Sequence, residues 1–270
     1  MVEFVDVDKQ KFTAIVERIA VFTVGIAVND NTSVGTGVLV EDGAKRFVLT
    51  AEHVVRDVDP SRMRFWCKPA APLIEQRASD APRNELQSLT YGYVFPIRAI
   101  TTDESADLAV LSLDPEFRLP GASEFYNFSL SAPLTGQSTN LEGVSILCFG
   151  FPVANSKEVS RVGQNVYNFT GCACHACYYD SALNSTLWNR ISISFSPDAN
   201  LILRYSESEG WFEPDGFSGC GVWVATEGAT DLLWKAVPIL VGVEHHYVKR
   251  LEILIASRLS SIVNIIARAQ

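Results

Sequence analysis

Three apolar, strand-like runs each carry a reactive side chain at one edge, and their order along the chain constrains the fold more than any bulk property. Phe47-Val48-Leu49-Thr50-Ala51-Glu52-His53-Val54 ends on a histidine. Ala106-Asp107-Leu108-Ala109-Val110-Leu111 opens on an aspartate, and Gly216-Phe217-Ser218-Gly219-Cys220-Gly221-Val222 carries a serine. Upstream of all three lies Gly35-Thr36-Gly37-Val38-Leu39-Val40. A serine hydroxyl is a poor nucleophile until a base takes its proton, and that base works best when a carboxylate orients it. A fold that uses these groups must bring together segments far apart in sequence.

The rest of the chain supplies the strands for such a fold. Asp8 to Ala20 sets Phe12, Ile15, Val16 and Ile19 at helical spacing, with Asp6 or Asp8 available as N-cap. From Val21 the pattern changes to short β-rich runs at Val21–Val28, Gly37–Val40, Phe47–Thr50, Tyr93–Ile100 and Leu108–Leu113, separated by turn signals. Pro69 to Arg83 reads as an insertion loop, and Asp114 to Asn140 as a linker between two halves. A second strand set follows at Val144–Phe149, Asn165–Gly171, Arg190–Phe195, Asn200–Tyr205, Gly221–Val224 and Pro238–Val243, and Leu251 to Ala267 returns to helical period.

The order His53, Asp107, Ser218, with Thr-Ala-x-His and Gly-x-Ser-Gly, resembles the chymotrypsin-fold (trypsin-like) serine proteases. The resemblance covers residues 20 to 265 or so and implies a mostly β protein of two six-stranded antiparallel barrels, with an N-terminal helix and a long C-terminal helix. The expected divisions are 1–20 for the first helix, 21–113 for the barrel carrying His53 and Asp107, 114–140 for the linker, 141–248 for the barrel carrying Ser218, and 249–270 for the last helix. It implies His53 as general base, Asp107 as its orienting acid, Ser218 as nucleophile, and the amides of Gly216 and Ser218 as oxyanion hole. Phe212 is expected to floor the primary pocket, with Glu244, His245 and His246 on the substrate-side strand; an exposed strand end is an equal reading for the two histidines. Cys220 and Gly221 stand where the family most often has glycine and proline, and Glu52 where a small residue is common. Phe217 stands where secreted members carry the acid that pairs with a cleaved N-terminus. The style is therefore closer to bacterial HtrA-type members, here without PDZ domains.

The expected activity is a serine endopeptidase working through an acyl-enzyme without cofactor or metal; a catalytically idle binding or regulatory module of the same fold is the alternative. The expected partners are a protein or peptide substrate and a regulatory protein. A net charge of −9 argues against nucleic-acid binding, since no excess of Lys or Arg exists to displace counterions. The acidic start Met1-Val2-Glu3-Phe4-Val5-Asp6 shows no secretion signal, and Glu252 and Arg258 interrupt the last apolar stretch, so no membrane partner and a cytoplasmic location are expected. Cys67, Cys148, Cys172, Cys174, Cys177 and Cys220 accordingly read as thiols, with disulfides left open by the even count. Cys172-Ala173-Cys174-His175-Ala176-Cys177 keeps three readings: strand thiols, a zinc site closed by distant ligands, or a redox-responsive pair.

Overall fold

The computed structural model describes residues 9–28, 33–68, 85–134, 141, 144–152, 157–161, 164–178, 199–205, 214–226 and 237–269. Helix α1 (Lys9–Val21) leads into a seven-stranded sheet with the path β4-β1-β2-β3-β7-β6. Its members are β1 (Thr23–Val28), β2 (Ser33–Asp42), β3 (Lys45–Thr50), β4 (Arg64–Trp66), β6 (Ile97–Asp103) and β7 (Leu108–Leu113), and β8 (Tyr126–Asn127) is attached to β2. A bridge between Phe65 of β4 and Tyr93, just ahead of β6, draws the two ends of this path together.

The apolar runs of this sheet are continuous because both faces are buried. Leu39, Val48, Ala109 and Leu111 enter one apolar cluster, inside the first barrel. Their neighbours Val38, Val40, Phe47, Leu49, Leu108 and Val110 enter a second cluster shared with α1 and the other half of the chain. The period-two alternation of a strand thus sorts consecutive residues into two cores. Each buried Val, Leu or Ile side chain in either cluster gains about 1.5–3 kcal/mol of transfer free energy relative to exposure.

The second half is an eight-stranded sheet with the path β10-β11-β12-β15-β14-β13-β9. Seven of its strands are β9 (Ser145–Gly150), β10 (Lys157–Arg161), β11 (Gln164–Tyr178), β12 (Asn200–Arg204), β13 (Gly221–Thr226), β14 (Val237–Val248) and β15 (Ile253–Arg258), and the eighth, β5 (Glu85–Tyr91), pairs with β11. A further ladder between β11 and β9 closes the ring β9, β11, β12, β15, β14, β13 into an antiparallel barrel. Two antiparallel barrels flanked by terminal helices are the chymotrypsin-like architecture.

Two segments differ from the sequence reading. The C-terminal helix, α3 (Leu259–Arg268), is 10 residues long and begins later than expected, because Ile253–Arg258 is strand β15. Ile253, Leu254, Ile255 and Ala256 lie between β12 and β14 with both faces buried, and an unbroken apolar run of that kind carries no period that separates strand from helix. The segment β5 (Glu85–Tyr91), assigned to no element from sequence, pairs with β11 and so belongs to the second sheet. The expected strand Arg190–Phe195 and the Pro69–Arg83 loop lie outside the described residues.

Candidate active site

His53 sits on α2 (Glu52–Val55), the single turn that follows β3. Val54 and Val55 bury themselves in the first barrel, which leaves the histidine on the outer side, 40% exposed. Asp107 closes a tight turn before β7, where Ala106 N donates to Asp103 O and Asp107 N to Glu104 O. Asp103 is itself occupied by Ser105, Ala106 N and Arg268 of α3, which leaves Asp107 as the acid directed at the histidine. Ser257 of β15 donates to the Ala106 carbonyl, so the second barrel also holds the turn from behind.

The Asp107 carboxylate is engaged twice by one residue. Oδ2 lies 2.8 Å from His53 Nδ1, and Oδ1 accepts from His53 N at 3.0 Å. With a carboxylate on the Nδ1 side, the ring proton resides on Nδ1 and the Nε2 lone pair is left to accept a proton. Burial pushes the Asp107 carboxyl upward, but the two hydrogen bonds from His53 and its proximity bring it below the usual carboxylate range. Asp107 adopts φ +46°, uncommon for a residue with a side chain and of the kind that concentrates at functional sites.

A second histidine lies on the other side of this aspartate. The β14–β15 register shifts between Glu244 and His246, so His245 is the extra residue of a β-bulge and turns inward instead of alternating outward. It is 1% exposed, with Nδ1 3.7 Å from Asp107 Oδ2 and Nε2 3.1 Å from Asn200 Nδ2. The Asn200 amide donates to Nε2, which puts the remaining ring proton on Nδ1, facing Asp107. Burial depresses the His245 pKa to about 4, keeping the imidazole neutral.

Ser218 follows from two consecutive turns. Phe217 N donates to Pro214 O and Cys220 N to Phe217 O, with Gly216 and Gly219 third in their turns, each at φ +93°. Positive φ at that position is the type II geometry, which favours glycine. Phe217, in the place of the family's acid, is wholly buried and packs against Gly150, so an apolar anchor seats the loop. Gly219 N donates to Glu244 O, and Thr36 N donates to Ser218 O at 2.8 Å. A Cβ built on Gly219 would lie 1.9 Å from Thr36 O and 2.3 Å from Thr50 Oγ1; one on Gly35 would meet both Val54 and the Ser218 carbonyl. The loop therefore rests on the residues that flank His53.

The amides of Phe217, Gly219 and Cys220 are all bonded, whereas those of Gly216 and Ser218 make no hydrogen bond among the described residues. These are the two donors expected for an oxyanion. Among the described residues the Ser218 hydroxyl also makes no hydrogen bond, to His53 or elsewhere, a separation that unliganded sites often show.

Of the residues read as substrate-facing, His246 is exposed near the end of β14, and Phe212 lies outside the described residues. Glu244 is 1% exposed, and its carboxyl lies among the buried thiols Cys148, Cys174 and Cys220. Cys67, Cys148, Cys174 and Cys220 are buried thiols; the side chains of Cys172, His175 and Cys177 lie outside the described residues. Among the described residues no group of three or more His, Cys, Asp or Glu is placed to hold a metal ion.

Burial, and then Cys148 and Asp107, push the Glu244 carboxyl well above its usual range. The folded chain thus holds a proton that the unfolded chain releases above about pH 4.3, so stability falls as pH rises from there toward the folded-state pKa. Glu244→Gln removes this dependence. Urea unfolding from about pH 5 upward should show wild-type stability falling more steeply than that of the variant, by up to about 1.4 kcal/mol per pH unit, with His245 common to both chains. Parallel slopes would contradict a protonated Glu244.

Fold and site together define a chymotrypsin-like double barrel with a His–Asp pair and a serine loop at the junction of its halves. No protein-family model matches the chain, and no curated protein matches it. Among solved structures it is similar to the crystal structure of the scabies mite inactivated protease paralogue S-D1, with a TM-score of 0.58 at 14% identity over 99% of this chain and 95% of that one. A likeness at that identity shows the fold. Among the described residues no helix is long and apolar enough to cross a membrane.

Proposed function

We propose that this chain is a serine endopeptidase. Ser218 attacks the scissile carbonyl, His53 takes its proton and later returns it to the leaving amine, and Asp107 holds the imidazole tautomer and stabilises the imidazolium. The tetrahedral oxyanion is received by the amides of Gly216 and Ser218, and the acyl-enzyme is hydrolysed by water that His53 activates. One observation carries this reading: in a loop whose neighbouring amides are bonded, those of Gly216 and Ser218 are left open, and the loop is seated near Val54, which follows a histidine gripped twice by its aspartate. Such preorganised donors commonly supply a factor of about 10² to 10³.

Phe212 as the floor of the primary pocket would favour apolar or small side chains, and His246, exposed near the end of β14, would meet extended substrate. Buried thiols fit a reducing compartment, which we take to be the cytoplasm. A regulatory protein that sets the serine loop fits the same arrangement.

A second reading, a binding or regulatory module without turnover, is favoured by the unmade Ser218–His53 hydrogen bond and by the inactivated state that the similar mite structure's name records. Reaction with a fluorophosphonate probe separates the two. The peptidase labels at one equivalent per chain, on Ser218, and Ser218→Ala does not label; a folded wild-type chain that stays unlabelled is the idle module.

A further inference from the structure

We infer that Thr36 is a positioning residue for the oxyanion hole, acting through its hydroxyl on the Gly216 carbonyl; this deepens the peptidase reading and rests on it. The hydroxyl is buried and fully committed. Oγ1 accepts from Phe151 N at 3.1 Å, which directs its own proton to Gly216 O at 2.8 Å. The same residue's N–H holds the Ser218 carbonyl, and its carbonyl accepts from Thr50 Oγ1 at 2.7 Å, where β3 runs into the His53 turn. One residue of β2 in the first barrel therefore grips the serine loop of the second at two points.

The consequence follows from peptide geometry. A trans peptide is planar, with its N–H and C=O pointing in opposite directions, so fixing one end fixes the other. The Phe217–Ser218 plane is fixed at its oxygen by Cys220 N, which turns the Ser218 N–H away from that turn. The Gly216–Phe217 plane is fixed at its N–H by Pro214 O and at its oxygen by Thr36 Oγ1. The Asp215–Gly216 plane, which carries the Gly216 N–H, is joined to it through a glycine at φ +93° and is bonded at neither end among the described residues. Glycine rotates at little steric cost. Without the Thr36 hydroxyl, the Gly216–Phe217 plane keeps only the Pro214 bond, a single pivot about which a peptide can tilt, and with the free rotation at Gly216 this carries that N–H out of the hole. The Ser218 amide, held by Cys220, stays.

The test compares wild type, Thr36→Val and Thr36→Ser in the full chain, by rate of fluorophosphonate labelling and by kcat and KM on a peptide substrate. Thr36→Val keeps shape and removes the hydroxyl; Thr36→Ser keeps the hydroxyl. Losing one oxyanion donor costs about 10²- to 10³-fold, and disordering one should cost a share of that. The expected result is a fall of about 10- to 100-fold in labelling rate and kcat for Thr36→Val, with KM within about 3-fold. Affinity for a peptide boronate, whose tetrahedral adduct places an oxygen in the hole, should fall in parallel. Thr36→Ser should restore all three to within about 3-fold of wild type. Folded Thr36→Val that labels at the wild-type rate overturns the inference, as does a loss that Thr36→Ser shares in full. An unlabelled wild-type chain overturns the peptidase reading and this inference together, whereas a labelled wild type with an unaffected valine variant overturns this one alone.

Discussion

Replacing Ser218 with alanine is expected to remove about 10⁶-fold of kcat for peptide hydrolysis while leaving the melting temperature within a few degrees of wild type. The magnitude follows from the unit character of a nucleophile, base and acid: removing the oxygen or the base leaves only binding and the oxyanion hole to act on bulk water. His53→Ala should cost a comparable factor, and the double variant no more than either single one. Asp107→Asn should cost about 10⁴-fold, because an amide offers Nδ1 a donor where the structure shows an acceptor at 2.8 Å. Stability should survive the serine change, since the Ser218 hydroxyl makes no hydrogen bond among the described residues and leaves no partner orphaned. Steady-state kinetics on a fluorogenic peptide, with thermal unfolding of the same samples, checks each value. Multiplicative losses in the double variant would show that the two groups do not act as a unit.

Gly219→Ala is expected to be strongly destabilising. Its Cβ would stand 1.9 Å from the Thr36 carbonyl oxygen and 2.3 Å from Thr50 Oγ1, at φ +93°. Thr36 O lies in a paired strand and cannot retreat without breaking β2 from its neighbours. Left-handed backbone alone costs a residue with a Cβ about 1–2 kcal/mol, and the collision adds to it. A total above about 3 kcal/mol corresponds to a fall of roughly 6–12 °C in melting temperature for a chain of this size. Gly43→Ala is the control: φ there is +61°, but nothing stands within 4 Å of the new carbon, so only the backbone cost of about 1–2 kcal/mol applies. Equal melting temperatures for the two variants would contradict the seating of the serine loop on Thr36 and Thr50.

His53, Asp107 and Ser218 stand out in the sequence because each lies at the edge of an apolar run, where burial of the neighbours dictates the exposed position. Val54 and Val55 face inward, and so His53 faces out. The grip of Thr36 was not legible, because its hydroxyl meets a carbonyl 180 residues away and nothing local marks it except the glycines on either side. His245 was misplaced for a different reason. Strict alternation along β14 would bury one of Glu244 and His245 and expose the other; the bulge buries both and brings the imidazole to Asp107. Strand β15 escaped because Ile253-Leu254-Ile255-Ala256 is apolar at every position, so its place between two strands is a property of the fold and not of its periodicity.

The central claim is that Ser218 is a nucleophile activated by His53 and Asp107. The most direct measurement is rapid-quench intact-mass analysis of the wild-type chain mixed with an activated ester of a short peptide. The expected result is a transient mass increase equal to the acyl group, mapped to Ser218, decaying at the rate of product release and missing from Ser218→Ala. A folded wild-type chain that forms no adduct, or forms it on a cysteine or lysine, would contradict the account.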